Sequence, residues 1–200
     1  MSAVDTPFTA RLWEAGEPWY QHIVGHPFMV ELVHGSLPLS RFSYYLVQDF
    51  HFLQVAARAF HVAASKAQND AWILAFNQCS TDVLMLERSL HEGFFQELKL
   101  SIAGVRGTPI APTNEAYANS LLMVSNQETF PEALASLLPC FWLYRNLGQA
   151  VLSQNAGYPL FRRWAEFYGG EAYDEMIEQL LELVDKVGAC LLYTSPSPRD

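Results

Sequence analysis

Apolar residues recur at helical spacing along most of this 200-residue chain, and no segment alternates polar and apolar residues convincingly. The clearest case lies within residues 36–67. Its apolar residues follow one another at steps of four, seven, four and three, which places on one face Phe42, Leu46, Leu53, Ala57 and Phe60. This pattern predicts an all-helical bundle. Half of the residues are hydrophobic and 16% are charged, so the chain is able to bury a large core as one domain.

The same spacing, with prolines near helix starts and glycines near helix ends, predicts seven further helices. They are expected over residues 6–24, 27–34, 71–98, 114–126, 131–154, 159–168 and 171–187. Pro18 is expected to break the first helix, and Thr113 to cap the helix that begins at residue 114. Residues 104–112 hold two glycines and two prolines without periodicity, which predicts a loop.

Charge and composition exclude several classes of partner. A net charge of −9 and a pI near 5.1 argue against a nucleic acid or an anionic membrane. The chain has no apolar run that approaches the ~20 residues needed to span a bilayer. Its first residues lack the charged and apolar regions of a signal peptide, which predicts a cytoplasmic protein with reduced thiols.

A thiol lies in an uncharged stretch, residues 133–144. Pro139 directly precedes Cys140, and a proline within a helix removes one backbone hydrogen bond and kinks the helix at that point. Cys140 and Tyr144 are four residues apart and therefore share a helix face. The segment indicates either a nucleophilic cysteine in an aromatic pocket or a small buried hydrophobe, which is the commoner role of cysteine.

Two acidic positions raise further alternatives. Asp49 lies at the edge of an apolar stripe among aromatic residues, where a carboxylate needs a partner, either another helix or a ligand. Glu87 and His91 are four residues apart, a spacing that is able to hold a metal. No histidine follows His91 in the sequence, so a structural pair is favoured over a metal site.

The end of the chain differs in character from the rest. Serine and proline cluster in residues 190–200, and the helical pattern stops near residue 189. The segment also matches a translation of a transposon-based sequencing adapter. We therefore expect residues 1–189 to form the helical domain, incomplete at its C-terminus, and residues 190–200 to be a non-native, adapter-derived tail.

Several motifs together resemble the TenA (thiaminase II) family, whose members adopt a heme-oxygenase-like helical bundle. They are His26-Pro27-Phe28, Gly35, Phe42 with Tyr44-Tyr45, Gln48-Asp49, Pro112-Thr113 with Tyr117, the segment from Leu137 to Tyr144, and Trp164 with Tyr168-Gly169-Gly170. They occur in family order at family-like spacing from about residue 8 to 185. The most specific combination is Leu137-Leu138-Pro139-Cys140 with the glutamine–aspartate pair on an earlier helix.

The resemblance implies hydrolysis of aminopyrimidine breakdown products of thiamin, and in many relatives of thiamin itself, to hydroxymethyl-aminopyrimidine. It implies that Cys140 is the nucleophile and that Asp49 accepts hydrogen bonds from the pyrimidine ring. Aromatic residues would line the pocket: Phe52, Tyr117, Tyr144 and Tyr168. It further implies a homotetramer that needs no cofactor and no metal, with a small-molecule pyrimidine as its partner.

Two features depart from the family pattern. Phe52 occupies a position where many relatives have tyrosine, so the stacking surface is kept but one hydroxyl is lost. The family's acid is a glutamate on a final helix that would follow residue 189, and no residue here matches it.

Two other functions remain as alternatives. The first is a metal-dependent oxygenase on the same bundle, with Glu87 and His91 among its ligands. The second is a protein that binds a pyrimidine without catalysing a reaction.

Overall fold

Helices make up almost all of the structure. A computed structural model describes residues 6–82, 84–85, 88–154 and 157–194, the last four of these as backbone only. Within those ranges there are ten α-helices and no strand. The helices are α1 (Phe8–Val24), α2 (Pro27–Val33), α3 (Leu39–Ala64), α4 (Asp70–Asp82), α5 (Arg88–Glu97), α6 (Ile102–Gly107), α7 (Pro112–Gln127), α8 (Phe130–Ser153), α9 (Pro159–Tyr168) and α10 (Glu171–Thr194). The predicted all-helical bundle is confirmed.

The long helix α3 lies at the centre of the bundle, packed against α4, α5, α7 and α8. Its predicted stripe is buried throughout, from Phe42 to Phe60. Phe42 packs edge-on against both Phe94 of α5 and Phe161 of α9, and Phe60 does so against Phe141 of α8. Burying large aromatic side chains of this kind supplies much of the free energy that holds helices together.

Several predicted helix boundaries are wrong. Pro18 lies inside α1 and does not break it. Because α1 has no fully buried residue, water is able to satisfy the carbonyl that proline leaves without a partner. Of the single helix expected over 71–98, the structure describes α4, a π-helical pair at residues 84–85 and α5, whereas residues 83, 86 and 87 lie outside the described residues.

The expected loop over 104–112 contains the short helix α6 in its first part. The sequence feature that marks the start of α6 is Ser101. Its hydroxyl accepts a hydrogen bond from the Gly104 N–H at 3.1 Å and caps the helix. α7 begins at Pro112, so Thr113 lies inside the helix and is not its cap.

The last helix continues beyond the predicted end at residue 187, to Thr194. The expected division at residue 189 therefore does not coincide with a helix end, and the origin of residues 190–200 stays a prediction. None of the described helices is both long enough and apolar enough to cross a bilayer.

Two glycines bring α8 and α9 into backbone contact. A Cβ atom on Gly148 would overlap the backbone nitrogen of Gly169, and a Cβ atom on Gly169 would overlap the backbone of α8 in the same way. The absence of a side chain at both positions therefore allows the two helices to touch. This contact fixes α9 against the C-terminal part of α8, where Trp164 and Tyr168 pack on Tyr144.

Candidate active site

One large cavity, of about 1260 Å³, lies among α1, α2, α3, α7 and α8, with Trp164 of α9 at its inner side. Its walls include five of the six residues that the sequence singled out as site residues: Asp49, Phe52, Tyr117, Cys140 and Tyr144. These residues lie on three helices and span 96 positions of the chain. They meet at one cavity because α3, α7 and α8 pack together. The sixth, Tyr168, does not line the cavity.

Cys140 is partly buried in the middle of α8, and its neighbour Pro139 also lines the cavity. A second thiol, that of Cys79 in α4, does not line the cavity. Burial, and next the charge of Asp82, raise the pKa of the Cys79 thiol to about 11, so it stays protonated at neutral pH. Of these two thiols, Cys140 is the one that a small molecule in the cavity would meet.

Two tyrosines lie close to Cys140. Burial, and next the charge of a Cys140 thiolate, raise the pKa of the Tyr117 hydroxyl well above its usual value. Burial also raises the pKa of Tyr144, with smaller contributions from Tyr45, Asp49 and Cys140. Both phenols therefore remain protonated at neutral pH and are able to donate hydrogen bonds to a thiolate or to a bound ring.

Asp49 is 9% exposed, lines the cavity and forms a pair with His91 of α5, whose Nε2 lies 3.1 Å from the Asp49 Oδ2. The two interpretations of Asp49 are therefore compatible. One carboxylate oxygen has a partner on another helix, and the residue still faces the cavity. Among the cavity-lining residues that the structure describes, Asp49 is the one carboxylate.

Phe52 and Tyr117 form a flat aromatic wall. Their ring centroids are 5.2 Å apart and their planes differ by 3°, which is an offset-stacked arrangement. Phe52 is buried, whereas Tyr117 is 41% exposed. The stacking surface expected at Phe52 is thus present, without a hydroxyl.

Gln48 was singled out only as part of a motif, and the structure gives it a definite role. Its side chain donates a hydrogen bond to the Pro109 carbonyl at 3.0 Å and accepts one from the Ala111 N–H at 2.8 Å. The Asn114 side-chain amide also donates to the Gln48 backbone carbonyl at 2.7 Å. These bonds fix the start of α7 against α3, and Tyr117 follows on the same helix in the cavity wall.

Tyr45 and Trp164, which were part of the resemblance but not predicted site residues, support Tyr144. The Trp164 Nε1–H donates a hydrogen bond to the Tyr45 hydroxyl at 3.1 Å, and Tyr45 in turn is hydrogen-bonded to Tyr144. Tyr168 is buried behind Tyr144, with ring centroids 4.9 Å apart. Tyr168 therefore positions a wall residue by packing and does not itself form the wall.

The predicted pairing of Glu87 with His91 lies partly outside the described residues, because Glu87 is not among them. His91 points to Asp49. Within the described ranges, no three His, Cys, Asp or Glu side chains are grouped as a metal site would require.

A family model described as the TENA/THI-4/PQQC family matches residues 13–197. This chain belongs to that family. Two similar curated proteins are the aminopyrimidine aminohydrolases of Bacillus subtilis strain 168 and Halalkalibacterium halodurans. The first is 27% identical over 180 residues, covering 90% of this chain and 76% of the relative. The second is 25% identical over 181 residues, covering 90% of this chain and 81% of the relative.

Solved structures of the TENA/THI-4/PQQC family have the same fold. A TenA homologue from Pyrococcus horikoshii OT3 superposes with a TM-score of 0.85 at 27% identity, covering 90% of this chain and 85% of that one. A protein described as a TenA family transcription regulator, from Silicibacter sp. TM1040, gives 0.87 at 26% identity, with 94% and 85% covered. The predicted TenA-type, heme-oxygenase-like bundle is confirmed.

Proposed function

We propose that this member of the TENA/THI-4/PQQC family is an aminopyrimidine aminohydrolase of the thiaminase II type that serves thiamin salvage. The observation that carries the proposal is the meeting of one thiol, Cys140, and one carboxylate, Asp49, in a single aromatic cavity. Relatives named aminopyrimidine aminohydrolase, at 25–27% identity, support the same reaction.

Asp49 and the aromatic wall account for recognition of the ring. A carboxylate accepts charge-assisted hydrogen bonds from the flat N–H edge of an aminopyrimidine, which sets both the orientation and the energy of binding. Phe52 and Tyr117 exclude water from one side of the cavity. The Asp49 carboxylate and a Cys140 thiolate are both negative, so the site favours a ring that carries a proton.

Cys140 accounts for the chemistry. Its thiolate forms a bond to a ring carbon, and the electrons that this addition places in the ring expel the amine from the exocyclic methylene. The amine takes up one proton as it leaves, and the water that replaces it releases one, so no net proton is consumed. Water then adds to the methylene, the ring electrons return and the sulfur–carbon bond breaks, which releases hydroxymethyl-aminopyrimidine and restores the thiolate.

Tyr117 and Tyr144 would support these steps as hydrogen-bond donors. Because both phenols stay protonated, they are able to stabilise the thiolate before it attacks and to hold the water that replaces the amine. The family reaction also uses an acid that protonates a ring nitrogen. We propose no residue within 1–189 for that role.

Replacing Cys140 with serine tests the proposal. We expect Cys140→Ser to lower the rate of amine release from aminomethyl aminopyrimidine by at least ~1,000-fold, because the hydroxyl is a far weaker nucleophile. Binding of hydroxymethyl-aminopyrimidine, measured by calorimetry, should stay within about threefold, since Asp49 and the aromatic wall are unchanged.

Cys79→Ser is the matched control, because this thiol lies outside the cavity, and it should keep the activity of the unchanged chain. Full activity in Cys140→Ser would contradict the role of the nucleophile. Binding of the pyrimidine without any turnover by the unchanged chain would favour a binding protein. Stoichiometric iron by elemental analysis, with an oxygen-dependent reaction, would favour the oxygenase.

A further inference from the structure

His91 lies directly behind the carboxylate of the cavity. Its side chain is 1% exposed and does not line the cavity, and its Nε2 lies 3.1 Å from the Asp49 Oδ2. His91 is thus a hydrogen-bond partner of Asp49 on another helix. The two residues are 42 positions apart and lie on α3 and α5.

The other ring nitrogen of His91 indicates where the proton is. Nδ1 is buried and has no hydrogen-bond partner among the described residues. A buried N–H without an acceptor is costly, so the favoured neutral tautomer carries its hydrogen on Nε2. His91 therefore donates to Asp49, and Asp49 accepts as a carboxylate.

Two phenylalanines hold the His91 ring in this orientation. Phe95 stacks on it, with ring centroids 5.7 Å apart and planes that differ by 16°. Phe50 meets it edge-on, with centroids 6.4 Å apart and planes at 83°. Because both contacts fix the plane of the imidazole, the direction of its N–H is fixed as well.

We propose that His91 is a positioning residue for substrate recognition, a role that rests on the function proposed above. By binding Oδ2 from the buried side, His91 holds the Asp49 carboxylate in one rotamer and leaves Oδ1 for the N–H edge of the pyrimidine. Without this bond, the carboxylate has more than one orientation, and the ring is no longer placed against the Cys140 sulfur.

The kinetics of two His91 variants test this role. His91→Leu removes the donor, and we expect a higher KM and a kcat/KM lower by about 10- to 100-fold, the usual effect of losing one hydrogen bond to a charged group. His91→Gln places an amide N–H near the position of Nε2 and should recover most of this loss. A merely structural role would lower the active fraction, and so kcat, and would leave KM unchanged.

His51→Leu is the matched control. His51 lies on α3 two residues from Asp49 and binds the Val105 carbonyl through Nε2 at 3.1 Å, but it does not line the cavity. The KM of the His51→Leu variant should equal that of the unchanged chain. An unchanged KM in His91→Leu, or a glutamine variant no better than the leucine variant, would overturn the inference.

A spectroscopic measurement separates this inference from the proposed function. In protein labelled with ¹⁵N-histidine, we expect the His91 hydrogen on Nε2, and we expect Asp49→Asn to shift both ring nitrogens. If the chain neither turns over nor binds the pyrimidine, the proposed function fails. The tautomer then decides: a hydrogen on Nδ1, or no response to Asp49→Asn, would overturn the role of His91.

Discussion

The same side chain occurs in two different surroundings at Cys79 and Cys140. Cys140 lies at a cavity wall beside two phenol donors, whereas Cys79 is held in α4 away from the cavity, with Asp82 nearby. A thiol is reactive as its thiolate, so surroundings that favour the protonated form make it inert. Position in the bundle, and not residue type, therefore separates the candidate nucleophile from a core side chain.

The partly buried Cys79 thiol predicts a loss of stability at alkaline pH. Its pKa is about 11 in the folded chain and 9.0 as the reference value, so the folded state holds the proton more tightly than the unfolded state. The free energy of unfolding is thus unaffected below about pH 9 and falls as the pH rises to about 11. The whole effect amounts to about 3 kcal/mol at ~1.4 kcal/mol per pH unit.

Urea unfolding of the unchanged chain and of Cys79→Ala, at intervals between neutral pH and the folded-state pKa of about 11, measures this effect. The difference between the two proteins should be constant below the reference pKa of the thiol and then shrink. Tyr117 and Tyr144, whose pKa values are also raised, weaken both proteins alike at the alkaline end, so the difference isolates the thiol. Parallel curves across the range would contradict the assignment.

At the scale of helices, the sequence predicted what is local and missed what joins distant segments. The stripe of α3, the whole of α9 and the thiol of α8 follow from apolar period, proline and glycine within one segment. The link between Asp49 and His91 and the three bonds described around Gln48 do not, because they join α3 to segments 42 to 66 residues away. Such contacts depend on how the helices pack, which periodicity does not specify.

The close approach of α8 and α9 predicts a strong effect of one methyl group. In Gly148→Ala the new Cβ overlaps the backbone of Gly169, so the helices must separate. We expect the free energy of unfolding to fall by about 3 kcal/mol. Turnover should fall as well, because Trp164, which borders the cavity, moves with α9.

Gly93→Ala is the control for this change. Gly93 lies in α5, and a methyl group at this position would have no neighbouring atom within 4 Å, so alanine's better helix propensity should raise stability by up to ~1 kcal/mol. Urea unfolding of both variants gives the comparison. Equal effects of the two substitutions would show that helix propensity, and not the contact with Gly169, governs position 148.

For the whole molecule, the bundle is closed by contact between its first and last described helices. α1 packs on α10, and a Cβ on Gly188 would overlap the Phe8 ring, so these helices are also in close contact. Asp185 of α10 accepts hydrogen bonds from the Thr9 N–H at 2.7 Å and from the Thr9 hydroxyl at 3.1 Å. The N-cap residue of α1 makes no side-chain hydrogen bond to the helix, so Asp185 supplies the cap from α10.

This closure predicts that Asp185 stabilises the cavity as well as the bundle. Asp185→Ala leaves a first-turn N–H of α1 without its acceptor and removes a negative charge from the helix N-terminus, which should cost about 1–2 kcal/mol. Because Trp19 and Ile23 at the other end of α1 line the cavity, the KM for the pyrimidine should rise with the loss of stability.

Glu182→Ala separates this cap from a general effect of charge on α10. Glu182 is an exposed residue of the same helix, 3.6 Å from Lys186, and such surface pairs contribute little, so its removal should change stability by less than about 0.5 kcal/mol. Urea unfolding measures both variants, and hydrogen exchange at the Thr9 amide locates the change. If that amide exchanges equally slowly in Asp185→Ala and in the unchanged chain, the acceptor has been replaced and α1 does not depend on α10 for its cap. Faster exchange at Thr9 in the Asp185 variant alone would place the cap in the contact between the two helices.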